Sequence, residues 1–254
     1  MRPLRETDAW HRMLESMRVF FRGTPAASGG RAVELDGVVA GVTPSVPERS
    51  LPNSVVYESE EALAAALDEL AEMYEQAGVR AWTVWVPEHH ERTRALLSDA
   101  GHVLDATPAA MIANLDEVEP PRPDDPEPEP RPMLEDLGRI NDLAYGSGDT
   151  FARMVGQGPA DPSFTYLARL DGELAASVVS QDHAGDCSIW LVATIPAARG
   201  RGMAAGLMRR ALADGKARGC DVTTLQATAL GRPVYERLGY RSLGTIEMWE
   251  RRRS

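Results

Sequence analysis

The chain has 254 residues, 43% of them hydrophobic, and a formal net charge of −11 at pH 7. That is enough apolar material for a normal core, and the acidity excludes the basic footprint of a nucleic-acid-binding protein. No apolar run approaches the roughly eighteen residues of a membrane span, and the two isolated cysteines, Cys187 and Cys220, make neither a disulfide framework nor a zinc cluster. The N-terminus lacks the apolar stretch of a signal peptide. The expectation is a reduced, cytoplasmic protein, with no membrane, nucleic-acid or metal partner and with an acidity that suits a cationic amine.

Residues 6–22 predict an amphipathic helix, with Trp10, Met13, Leu14, Met17, Phe20 and Phe21 on one side and Gly23 at its end. Strands at 31–35 and 38–42 flank Asp36-Gly37, a two-residue hairpin signal. Residues 43–52 hold three prolines and read as a loop before a short strand at 55–57. A helix over 60–77 is capped by Ser59 and closed by Gly78. A strand at 81–86 leads to a helix over 88–100, closed by Gly101, and then to a strand at 110–115. Trp82 and Trp85 fall on opposite faces of their strand, so at most one lines a pocket. His89-His90 lacks the i, i+4 spacing of a helical zinc site and reads as the solvated first turn of a helix.

Residues 116–132 contain seven prolines and seven acidic residues. Such a segment buries too little apolar surface to fold and predicts an extended, stiff linker, about 50 Å long at roughly 3.1 Å per residue. Beyond it come a helix over 134–145, a break at Gly146-Ser147-Gly148, a helical turn at 151–155 and a loop through 156–162. Strands at 164–170 and 174–180 flank a second hairpin turn, Asp171-Gly172. An apolar strand at 188–195, a glycine loop and a helix from Met203 follow, then a strand at 222–228, a short helix at 233–238 and a last strand at 241–249. Arg251 to Arg253 read as a solvated basic tail.

Strand, glycine loop and helix make a device for holding phosphate. The first N–H groups of a helix have no internal partner, they carry the positive end of the helix dipole, and glycine lets the backbone approach an anion. Gly202 is followed by Met-Ala and not by Lys-Ser/Thr, which excludes a P-loop. Gly200, Gly202 and Ala205 satisfy the spacing of a dinucleotide fingerprint, but the next strand is followed by Leu-Gly-Arg-Pro and not by an acid.

Arg199-Gly200-Arg201-Gly202-Met203-Ala204, with Pro196 three residues ahead, resembles the phosphate loop of the GNAT superfamily of acyl-CoA-dependent N-acetyltransferases. Tyr235-Glu236-Arg237-Leu238-Gly239-Tyr240 is similar to that family's Tyr-x-x-x-Gly-Phe ending. The match is clear over about 165–250. It implies a mixed α/β sheet fold there, and the element order of residues 1–115 matches a second GNAT-like domain, with an unrelated α+β domain as the alternative. Residues 1–115 would be a degenerate copy with no phosphate loop in the place after Val38–Val42, residues 116–132 the linker, and residues 133–254 the acetyl-CoA-binding domain.

The resemblance implies acetyl-CoA as cosubstrate, without a metal. Pantetheine would pair with backbone groups near Val192 and Thr194, where two parallel strands splay. Pyrophosphate would sit on the N–H groups of Arg199, Gly200, Arg201, Gly202, Met203 and Ala204, and Tyr235 would protonate the leaving thiolate. The implied reaction is direct acetyl transfer to a primary amine of a small molecule or a protein. A cofactor-binding module without catalysis and a different acyl chain remain as alternatives. No general base is assigned among His183, Asp186 and Ser188, and Thr228 stands where many members carry asparagine.

Overall fold

The computed structural model describes residues 5–155 and 163–253 of the chain; the loop expected over 156–162 lies outside them. The first half runs α1 (Glu6–Gly23), β1 (Arg31–Leu35), β2 (Val38–Val42), β3 (Ser54–Tyr57), α2 (Glu60–Gln76), β4 (Ala81–Pro87), α3 (Glu91–Asp99), β5 (Val103–Ala106) and β6 (Ala109–Asn114). The second runs α4 (Leu134–Tyr145), α5 (Thr150–Val155), β7 (Ser163–Leu170), β8 (Glu173–His183), β9 (Asp186–Thr194), α6 (Met203–Ala217), β10 (Val222–Ala227), α7 (Arg232–Arg237) and β11 (Arg241–Arg252). Local chemistry explains most of these boundaries. Gly37 takes φ +71° in the first hairpin, the left-handed conformation that glycine adopts without a steric cost. The Ser59 hydroxyl accepts from the Ala62 N–H at 3.1 Å, which satisfies one open donor of α2.

The strands form one mixed sheet in the order β1-β2-β3-β4-β11-β6-β10-β9-β8-β7, with β5 beside β11. The sheet continues through the boundary expected at 116–132. β6, which precedes that segment, pairs antiparallel with β10, which follows it, with Met111 opposite Leu225. β11, from the far end of the chain, pairs with β4 at Trp249 and Val84 and with β6 at Ser242 and Met111. The halves thus exchange their final strands. β4 is buried along its whole length, so both of its edges need backbone partners, and β3 and β11 supply them.

The segment 116–132 is not a free spacer. Its Asp125 carboxylate accepts from Arg209 Nε at 2.9 Å in a buried ion pair on α6. Pro126 presses so closely on the same helix that a Cβ at Gly206 would lie 2.4 Å from the Pro126 Cδ. Proline has no N–H to give to a ladder, so side-chain ion pairs, with one backbone bond from the Glu129 N–H to the Leu167 carbonyl at 2.7 Å, hold this stretch on the surface. The expected basic tail is likewise built in: Arg251 and Arg252 belong to β11, opposite Trp82 and Ala81.

Three apolar clusters hold the molecule together. One lies between the sheet and α6 and α7, with Leu207, Met208 and Tyr235. A second lies on the first half under α2, with Leu63, Leu70 and Trp82. The third draws on both halves: Met13, Met17, Phe20 and Phe21 of α1 pack with Trp85, Leu137, Ile140 and Trp190. None of the helices among the described residues is long and apolar enough to cross a membrane.

Candidate cofactor and transfer site

β9 and β10 run parallel, and their register is limited to Asp186 opposite Val222. From there toward Thr194 the two strands part. A bulge in β9 adds to the bend. Ser177 of β8 faces Ala193 and Val179 faces Trp190, so Leu191 and Val192 together oppose Val178. Leu191 takes φ +48° there, a conformation that a branched residue adopts only when its surroundings impose it. The extra residue of such a bulge leaves its peptide out of the ladder.

Past Thr194 a short 3₁₀ turn, Pro196–Ala198, leads to Arg199. Gly200 and Gly202 then take φ +78° and +74°, and α6 begins. A Cβ at either glycine would meet nothing within 4 Å. Backbone conformation, not crowding, demands glycine here, and the front of the loop is open. Among the described residues, none of the N–H groups of Gly200 to Ala204 has a hydrogen-bond partner. The first turn of α6 carries no acidic residue, so nothing offsets the positive end of its dipole.

Tyr235 lies on α7, 8% exposed, with its ring over Gly231, where a Cβ would stand 2.9 Å from the ring. Burial pushes its phenol well above the usual value, and the nearby Tyr145 adds to the shift. The group is a neutral hydroxyl at any physiological pH.

These elements line one cavity of about 1320 Å³. That exceeds the size of a site for a single small ligand. Val192, Thr194, Arg199, Gly200, Gly202, Met203, Ala204 and Tyr235 all line it. Arg201 does not; its guanidinium points out toward Asp171, 3.9 Å away. Thr228 lines the cavity and accepts from the Gly231 N–H at 3.2 Å, which braces the turn into α7.

The three acid–base candidates near β9 lie elsewhere. Asp186 is 1% exposed, under α1, where its Oδ2 accepts from Ser16 and Thr224 at 2.6 Å each. Burial raises its pKa to about 7. Ser188 donates to the Gln181 carbonyl, and His183 sits at the β8–β9 hairpin. None of the three lines the cavity; the carboxylates that do are Asp105 and Glu119. His89 and His90 lie just before α3 and not in its first turn; His89 is exposed and His90 is partly buried. His90 precedes α3 and shares a hydrogen bond with the Tyr57 hydroxyl at 2.9 Å, and His89 stands edge-on to Trp10.

Sequence reasoning missed Tyr145, whose hydroxyl donates to the Val192 carbonyl at 2.9 Å. It also missed the wall that the first half supplies, which includes Phe20, Phe21, Leu51 and Trp85. Only the amphipathic pattern of α1 hinted at that wall.

The first half contains a strand–helix–parallel strand unit in β3, α2 and β4, with Ser54 opposite Thr83 and Val55 opposite Val84. The turn into that helix is at Glu58-Ser59, with Ser59 as its cap. Glu58, Glu60 and Glu61 crowd that helix start.

Residues 117–240 match the acetyltransferase (GNAT) family. No curated protein matches the chain. Among solved structures, a GCN5-related N-acetyltransferase from Kribbella flavida is 15% identical with a TM-score of 0.67, over 100% of this chain and 98% of its own. A conserved protein of unknown function from Staphylococcus epidermidis is 15% identical with a TM-score of 0.62, over 89% and 95%. A GCN5-related N-acetyltransferase from Sphaerobacter thermophilus is 18% identical with a TM-score of 0.57, over 99% and 94%. At these identities the likeness is one of fold. Residues 117–240 are a GNAT acetyltransferase family domain, set in a chain that has the mixed α/β fold of GNAT structures.

Proposed function

We propose that the chain is an N-acetyltransferase that takes an acetyl group from acetyl-CoA and passes it directly to a primary amine. The observation that carries this reading is a single cavity lined by the open glycine loop, the bulged edge of β9 and Tyr235. The residues fit the cosubstrate. The unpartnered N–H row from Gly200 to Ala204, at the positive end of α6, suits a pyrophosphate. The backbone of Val192 and Thr194, on the splayed edge of β9, suits the amides of the pantetheine arm.

When bound, acetyl-CoA supplies an activated acetyl thioester. The chain's residues do the rest. The bulge offers an N–H donor where negative charge develops on the acyl oxygen. Tyr235, kept protonated by burial, donates to the departing sulfur. An N–C bond forms as the C–S bond breaks, the thiol leaves with the Tyr235 proton, and the proton released by the amine returns through water to the phenolate. The first half serves as a degenerate copy that walls the cavity, since three glutamates at the start of α2 repel a pyrophosphate.

Release of CoA thiol over a panel of amines tests the reading. Tyr235→Phe should lower kcat about 100-fold and leave the KM for acetyl-CoA within a factor of about two. Equal rates in mutant and wild type would remove Tyr235 from the chemistry. A wild type that binds acetyl-CoA and stays silent with every amine would be a binding module.

A further inference from the structure

The wall that the first half builds says what kind of amine the cavity takes. Four aromatic rings line it together. Phe20 stacks on Trp190, with centroids 3.7 Å apart and planes 3° apart. Phe21 stands edge-on to Trp190 at 5.8 Å and tilts toward Trp85 at 6.2 Å. Trp190 immediately precedes the Leu191–Val192 bulge, so this aromatic surface adjoins the point of transfer.

Several polar groups of the wall are already paired. The Trp190 indole N–H donates to Ser188 Oγ at 3.0 Å, and the Trp85 indole N–H donates to Ser54 Oγ at 2.9 Å. Both rings therefore show the cavity only carbon surface. The Thr24 hydroxyl donates to the Phe20 carbonyl at 2.9 Å, Ser28 to the Met154 carbonyl at 2.5 Å, and Thr43 to the Pro52 carbonyl at 3.2 Å. The charged residues that the first half adds to the lining are Arg49 and Asp105, one of each sign. Leu51, 37% exposed, extends the apolar surface to the rim.

We propose that the acceptor is a small primary amine carried on a flat aromatic body, seated against Phe20, Phe21, Trp85 and Trp190. This rests on the acetyl-transfer reading above. The rings hold the body by apolar burial and by edge and face contacts, and the amine nitrogen is left at the β9 bulge.

The test compares 2-phenylethylamine with spermidine, glucosamine and a short peptide, at saturating acetyl-CoA. The aromatic amine should have a kcat/KM about 10- to 100-fold above the others, the range expected for burying one aromatic ring. Phe20→Leu should raise its KM about tenfold and leave the KM for acetyl-CoA unchanged. Leu51→Asn, at an exposed site that cannot unfold the core, should raise it severalfold. Preference for spermidine, glucosamine or the peptide would overturn the proposal and leave the transfer reading standing. If no amine is acetylated, titration calorimetry of 2-phenylethylamine onto the full chain decides. Binding that Phe20→Leu weakens would uphold the aromatic seat and sink only the transfer reading; no binding would overturn the seat.

Discussion

The Tyr145 hydroxyl donates to the Val192 carbonyl at 2.9 Å, and the neighbouring Ala144 carbonyl accepts from Arg199 Nη2 at 2.8 Å. The end of α4 thereby holds both the splayed strand and the arginine that opens the glycine loop. A pantetheine arm that pairs with Val192 must displace Tyr145. Tyr145→Phe removes that competitor. A net hydrogen bond is worth about 1 kcal/mol, so the Kd for acetyl-CoA should fall roughly fivefold. Calorimetric titration measures it. A weaker Kd would show that the Tyr145 hydroxyl contacts the ligand instead of guarding its place.

Asp186 is buried at the junction of α1, β9 and β10, with Ser16 and Thr224 as its donors. Burial raises its pKa from 3.8 to about 7, and its donors and the more distant Arg12 oppose the shift only in part. A raised pKa means that the folded state binds a proton that the unfolded state has lost. The stability this provides is complete below about pH 4 and is lost as pH rises through about 7. Asp186→Asn removes the buried charge and keeps an acceptor. It should raise the unfolding temperature at pH 8 by several degrees, a gain of at most about 4 kcal/mol, and change little at pH 4. Equal effects at the two pH values would contradict this.

Strand exchange makes the halves depend on each other. β10 relies on β6, and β4 relies on β11. Residues 1–115 and residues 116–254, expressed as separate chains, should each fail to give a cooperative melt, while co-expression should recover a one-to-one complex. A cooperative transition for 116–254 alone would show that its own strands suffice.

What could be read ahead of the structure was local. Asp36-Gly37, Asp171-Gly172, the Ser59 cap and the Arg199–Gly202 loop each declare themselves within a few residues, because turn and cap chemistry is short-range. The partners of β6 and β11 did not, since an apolar strand shows that it is buried and not what it pairs with. The proline-acid segment looked like a spacer because nothing within it shows that Asp125 meets Arg209, 84 residues away. Asp186 read as one of three residues with no assigned role, and only the packing of α1 over it makes it a buried acid. Tyr145 looked like an ordinary helix end, and its place at Val192 depends on how α4 packs against β9.

The central claim is that acetyl-CoA binds on the Gly200–Gly202 loop, and thermal unfolding with and without acetyl-CoA tests it most directly. Ligand at a hundred times its Kd adds about 2.7 kcal/mol, which for a chain of this size is a shift of roughly 5–10 °C. Gly202→Glu forces a side chain into the left-handed conformation and puts a carboxylate where the phosphates sit. The account predicts the full shift in wild type and none in Gly202→Glu, each measured against its own ligand-free transition. No shift in wild type at millimolar acetyl-CoA, or an equal shift in the variant, would contradict it.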